Sequence, residues 1–171
     1  MAITGIFSQP YSLKLLVAAS STFQTVVGAA NATAALAYIH FPRAEESDSP
    51  SWAIVSDEDT PLRREKKGTG YWADEGSLML SFDFFVPGDN DDTVESSEEW
   101  FLQQAGDIIS DMEALAGEGE PVAGQTHLAV LAFVHRDGPW ELDTAEFGEL
   151  PDLDEESAPS RLWHASFDVE F

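Results

Sequence analysis

Residues 161–171 read RLWHASFDVEF. Trp163, Ala165, Phe167, Val169 and Phe171 share one parity of a period-two pattern, and His164, Ser166, Asp168 and Glu170 share the other. This alternation predicts a β-strand with one apolar and one wet face, and such a strand needs a sheet to complete it. A second stretch, Gly76 to Val86, repeats the pattern: Leu78, Leu80, Phe82, Phe84 and Val86 alternate with Met79, Ser81, Asp83 and Phe85. Two strong alternating strands in 171 residues fix the core as at least partly β, with burial supplied by eleven Phe and five Trp.

The helical signals lie elsewhere. Val94 to Ala116 carries Phe101, Ala105, Ile108, Ile109, Met112 and Leu115 in the i, i+3, i+4, i+7 rhythm of an amphipathic helix. Asp92 with Glu95, or Ser96 with Glu99, is expected to form a capping box at its start, and Gly117 and Gly119 to stop it. Near the N-terminus, Leu13, Leu16 and Val17 predict one helix after Pro10. Ser20 to Gly28 predicts a second, capped by Ser20 or Ser21 and ended by Gly28, and Asn31 caps a short Ala-rich turn. Tyr38 to Phe41 is expected to be extended, and WAIV at 52–55 to be a buried strand. Ser56 to Tyr71 reads as a charged, irregular loop. Gln125 to His135 is apolar on both parities and is expected to be a central strand. Arg136-Asp137-Gly138-Pro139 reads as a turn that opens an acidic excursion over 138–160.

The sum is an α+β fold in a single domain spanning 1–171: a small, mostly antiparallel or mixed sheet of about four strands packed against one long helix. Short N-terminal helices would cover an edge or the remaining face.

Charge excludes several classes of function. Thirty-two acids oppose three Lys and five Arg, a formal net charge of −24. Such a surface repels nucleic-acid phosphates, so ordinary DNA binding is not expected. The acidity suits life in high salt, a wall past which a polyanion must slide, or attraction to a basic partner. There are no cysteines, which removes disulfides and thiolate metal sites. No run of about eighteen apolar residues occurs, so no membrane helix is expected, and MAITGIFSQPYSLK lacks the basic n-region of a signal peptide.

No catalytic, cofactor or metal site is expected from spacing. His40, His127, His135 and His164 form no H-x-x-x-H pair. Asp89, Asp91, Asp92 and Glu95 lack the glycine and the twelfth-position acid of a calcium loop, and Gly68-Thr-Gly70 is not followed by the Lys and helix of a phosphate cradle. The positive signal is basic: Arg63, Arg64, Lys66 and Lys67 are half of the chain's eight bases. Against so acidic a background they read either as a loop neutralising Asp57 to Asp59 or as a docking loop that meets acids on a neighbouring copy. Ile3, Ile6 and Phe7 form an apolar N-terminal arm that must find cover on the body or on a partner.

The segment SLKLLVAASSTFQTVVGAANATAALAYIHF resembles the opening of small neck proteins from long-tailed phages and related archaeal viruses. In these a helix precedes an S-x-x-F-Q-x-x-V-G segment, here Ser20 to Gly28. WAIV resembles their first core strand and RLWHASFDVEF their closing strand. The family indicated is the tail terminator, or tail-completion, group. The resemblance implies a structural virion protein, assembled in the host cytoplasm, that forms a homo-oligomeric ring, usually a hexamer, on the last ring of the tail tube. It would stop tube polymerisation and present a surface to the head-side connector, while DNA passes the channel without specific binding. A head-completion or stopper protein is the nearest alternative. A small soluble enzyme or ligand-binding domain of a salt-adapted host is the alternative from another class.

Overall fold

The computed structural model describes residues 9–41, 51–56, 63–67, 71–86, 93–117, 132–142 and 161–170. The N-terminal motif folds as a chain of local devices. Helix α1 (Gln9–Ala19) buries Leu13, Leu16 and Val17, and α2 (Ser21–Val26) follows with a one-residue break at Ser20. Ser20 caps α2 by accepting from the Phe23 N–H at 3.1 Å. Phe23 is fully buried, Gln24 donates its side-chain N–H to the Ala18 carbonyl at the end of α1 (2.9 Å), and Gly28 turns the chain away at φ 68°. Ser20 and Gln24 of the S-x-x-F-Q-x-x-V-G segment thus join α1 to α2, Phe23 and Val27 are buried in the core, and Gly28 ends the motif. Asn31 caps α3 (Ala32–Ala35), and a 3-10 turn leads into β1 (Ile39–His40).

Five strands form the main sheet: β1, β2 (Trp52–Ser56), β5 (Ser77–Val86), β6 (Ala132–Leu142) and β7 (Arg161–Glu170), in the order β1-β2-β5-β7-β6. The β1–β2 pair is parallel and the rest are antiparallel. Two further strands, β3 (Arg63–Lys67) and β4 (Tyr71–Glu75), pair only with each other in a separate two-stranded ladder. The fold is α+β as the patterns predict, but with five strands in the sheet and two more in a hairpin, where about four were expected.

The two alternating strands pair directly. Leu80 lies opposite Phe167, Phe82 opposite Ala165 and Phe84 opposite Trp163, so both apolar parities face the same way. Against them lies α4 (Val94–Gly117), whose Phe101, Ala105, Ile108 and Met112 are buried. Phe84 meets Phe101 edge-on at 5.7 Å and Phe23 at 6.4 Å, Phe101 stacks on Trp163 at 6.5 Å, and the buried Trp163 indole donates to Ser97 Oγ at 3.1 Å. α1, α2 and α4 therefore share one face of the sheet. Among the described residues no helix covers the other face, in contrast to the expectation that the N-terminal helices would take an edge or that second face. One continuous aromatic cluster, from Phe23 through Phe84 to Trp163, recruits all three helices to a single core.

Several expectations are corrected. Thr93, not Ser96, caps α4: its Oγ1 accepts from the Ser96 N–H at 3.1 Å, and the Thr93 N–H donates to Ser96 Oγ; Asp92 lies outside the described residues. Of the run expected as a central strand over Gln125 to His135, residues 125–131 lie outside the described residues, and Ala132 to His135 belong to β6, an outer strand of the sheet among the described residues. Phe133 packs on the core while Val134, of the other parity, is 46% exposed, so an apolar residue on both parities did not signify burial on both faces. Residues 136–139 are not a turn. They lie inside β6, whose register against β7 shifts between His135 and Asp137 and again between Asp137 and Trp140, with Gly138 at φ 93° taking up the irregularity. The excursion expected over 138–160 accordingly gives its first five residues to β6, and 143–160 lie outside the described residues.

Candidate assembly surfaces and a polar network

The basic cluster is a strand, not the irregular loop expected from its composition. RREKK carries no apolar alternation, so its charge pattern concealed the strand. β2 and β5 pair antiparallel from Trp52–Asp83 to Ser56–Met79, and the chain between them returns through β3 and β4. Gly76 alone separates β4 from β5. The two-stranded ladder is thus an arm growing from the base of the β2–β5 hairpin. Its register sets Arg63 opposite Glu75, Arg64 opposite Asp74, Lys66 opposite Trp72 and Lys67 opposite Tyr71. Arg63, Arg64, Lys66 and Lys67 are thereby brought together on one strand, with acids of β4 as register partners of the two arginines. Ile3, Ile6 and Phe7, the other expected contact residues, lie outside the described residues.

Among the described residues, the outer strands of the sheet are poor templates for strand addition. β7 is enclosed between β5 and β6 along its length. One outer strand, β1, is two residues long. The other, β6, carries two register shifts and a proline. A Cβ placed on Gly138 would sit 2.7 Å from the His164 carbonyl oxygen, so β6 crosses β7 there with no space for a side chain. Arg161 and Glu141 form an ion pair across the same two strands.

α4 presents a long acidic surface. It carries six acids and no base. Asp111 is used internally: its carboxylate accepts from Ser20 Oγ at 2.7 Å and the Thr22 N–H at 3.1 Å, at the N-terminal end of α2. Partial burial opposes its ionisation, but these hydrogen bonds outweigh that and hold its pKa below the ordinary value. Glu99, Asp107 and Glu113 are exposed, as is Leu102 at 44%.

The helix-free face of the sheet holds a network that spacing did not reveal. Asp83 and His164 are register partners on β5 and β7, as are Ser81 and Ser166. His164 Nδ1 donates to Asp83 Oδ1 at 2.8 Å, its Nε2 lies 3.0 Å from Ser166 Oγ, and Ser166 Oγ lies 3.0 Å from Ser81 Oγ. Because Nδ1–H is committed to the carboxylate, neutral His164 accepts the Ser166 proton at Nε2, and protonated His164 donates there instead. Asp83, Ser81 and Ser166 are all buried. The hydrogen bond that His164 donates to Asp83 raises the His164 pKa, and the charges of Asp83 and Asp137 add to it against partial burial. Asp83 and His164 are 81 residues apart, and only the strand register joins them. The available signal was that both polar residues hold the wet parity of alternating strands. On the opposite border, Lys14 donates to the Ile39 carbonyl at 2.5 Å and lies over the Phe41 ring, tying α1 to β1.

No group of three or more potential metal ligands occurs among the described residues, and no helix is long and apolar enough to cross a membrane. No family model matches this sequence, and neither does any curated protein.

Proposed function

We propose that this protein is a structural component of a tailed virion that assembles into a ring, usually a hexamer, at the head-proximal end of the tail tube, in the manner of a tail terminator. One observation carries the reading: in an otherwise strongly acidic molecule, half of the bases stand on one strand, β3, of a two-stranded ladder that is separate from the main sheet. A two-stranded ribbon is marginal alone in water, so an arm of this kind is expected to find a partner surface. The ragged sheet borders direct association away from strand pairing and toward the arm. An arm reaching from each copy to the next is a heterologous contact, which closes into a ring when the rotation between copies permits. The acid excess suits a channel that lets DNA slide without retention. The resemblance of Ser20–Gly28 and of the closing strand to neck proteins supplies the place in the virion. A head-completion or stopper ring is the same reading moved one ring toward the head.

Electron microscopy of the purified protein across a range of salt concentrations tests the proposal, together with labelling of the intact particle. Rings with a central hole, located at the neck, are expected. A species that stays monomeric at every salt concentration and is absent from particles overturns the reading.

A second reading, ester hydrolysis, is favoured by the Asp83–His164–Ser166 chain alone. In it Ser166 Oγ would attack an ester carbonyl while its proton passes to His164 Nε2. Against it stands the placement of Ser166 in mid-strand. Backbone N–H groups of a sheet lie in the sheet plane, so none converges on an oxyanion above that face. Hydrolysis of p-nitrophenyl acetate that disappears in Ser166→Ala would favour this reading over the structural one.

A further inference from the structure

We infer that His164 and Asp137 form a proton-controlled clasp: when His164 takes up a proton, the Ser166 hydroxyl turns from the imidazole to the Asp137 carboxylate and ties the outer strand β6 to β7. The device is independent of the ring reading. β6 is aimed for this task by its own irregularities. From the His135–Phe167 pair, an unbroken register would set Asp137 opposite Ala165, which is buried in the core on the helix side. The first shift sets Asp137 opposite Ser166 instead, on the helix-free side, and the second sets Trp140 opposite His164. The Trp140 indole N–H donates to Asp137 Oδ1 at 3.1 Å, which holds one carboxylate oxygen and leaves the other for Ser166. Cβ atoms of register partners stand about 4.5–5.5 Å apart, within reach of a carboxylate and a hydroxyl.

The protons supply the switch. With His164 neutral, two hydroxyl protons serve two links: Ser81 donates to Ser166 Oγ, and Ser166 donates to His164 Nε2. With His164 protonated, Nε2–H donates to Ser166 Oγ, and three protons meet the same two links. One hydroxyl proton then has no acceptor within the chain, and both serines are buried, where such a proton is costly. The acids that face His164 are Asp83 from β5, Asp137 from β6 and, further along its own strand, Asp168 and Glu170; β2 brings no charge to this side. Asp83 is engaged by Nδ1, and Asp168 stands opposite Met79 and Val134, so Asp137 is the carboxylate beside Ser166. The charges of Asp83 and Asp137 both favour the protonated ring. β6 is therefore held most firmly while His164 is protonated, and the hold is lost as pH rises through the folded His164 pKa.

Hydrogen exchange of the full-length protein, corrected for the intrinsic pH dependence of amide exchange, reads the clasp strand by strand. Between about pH 8 and about pH 5.5, protection of β6 amides is expected to rise roughly three- to tenfold relative to β5 amides. Its midpoint should coincide with the His164 titration followed by NMR. Asp137→Asn removes the charge and Ser166→Ala removes the hydroxyl, and each is expected to abolish this relative gain. Asp168→Asn, on the same side but away from Ser166, is expected to keep it. Asp137 is exposed, and circular dichroism checks that each variant is folded; should Ser166→Ala not fold, Asp137→Asn decides alone. Protection of β6 that tracks β5 at every pH in the wild type overturns the clasp. So does a gain that survives Asp137→Asn or a folded Ser166→Ala, or one that Asp168→Asn removes equally.

Discussion

The two faces of the sheet are built from the same strands and obey opposite rules. On the helix side, Leu80, Phe82, Phe84, Trp163 and Phe167 form a dry aromatic cluster, in which Phe82 and Phe84 lie 5.2 Å apart and Phe82 and Phe167 5.9 Å apart. On the other side, the intervening residues Ser81, Asp83, His164 and Ser166 are tied in a hydrogen-bonded chain. The first face gains from non-directional burial, which tolerates small changes of shape. The second holds polar groups away from water only because each finds a partner, and it is therefore sensitive to the loss of any one. Strand pairing in a single register places both sets at once. A slip by one residue would put Asp83 into the aromatic cluster.

This contrast can be tested by substitution. The largest effect is expected from Phe84→Ala, which touches Phe23, Phe82 and Phe101. It should cost about 3–5 kcal/mol in denaturant unfolding at any pH. Asp83→Ala should cost about 2 kcal/mol near pH 6 by removing the acceptor that favours protonated His164. Because the folded His164 pKa is raised above 6.5, its contribution is complete below that value and lost as pH rises through the folded pKa. The difference between wild type and variant should therefore shrink in alkaline buffer, and a difference that grows there would refute the assignment. Asp111→Ala should cost about 1–2 kcal/mol at neutral pH, through the hydrogen bonds at the start of α2. Its pKa is lowered on folding, so this contribution holds above the ordinary carboxyl value and fades as pH falls through the folded pKa. Ser81→Ala should cost about 1 kcal/mol, seen as a modest shift of the unfolding midpoint. Leu102→Ser should change monomer stability by less than about 0.5 kcal/mol, since the side chain lies outside both clusters.

The core was legible because its residues state their own period. α4, β5 and β7 each run long enough for alternation or helical rhythm to declare both element and face, and Ser20, Gly28 and Asn31 mark ends through local chemistry that needs no distant partner. What escaped was everything set by register or by the absence of burial. RREKK and YWADE carry no periodic apolar signal, so β3 and β4 could not be read from them. β6 looked central from its composition, although only Phe133 among its described apolar residues joins the core cluster, and its DGP sequence resembles a turn while lying within a strand. The His164 network depends on β5 meeting β7 with Asp83 opposite His164, which neither strand's sequence specifies alone.

The interrupted outer strand, with Gly138 pressed against the His164 carbonyl, has a consequence for the life of the free protein. Fibrils and runaway aggregates grow when one flat ribbon zips onto another, and among the described residues each outer strand is too short or too crooked to serve as a zipper half. The described outer strands therefore give a second copy little to extend by main-chain hydrogen bonding.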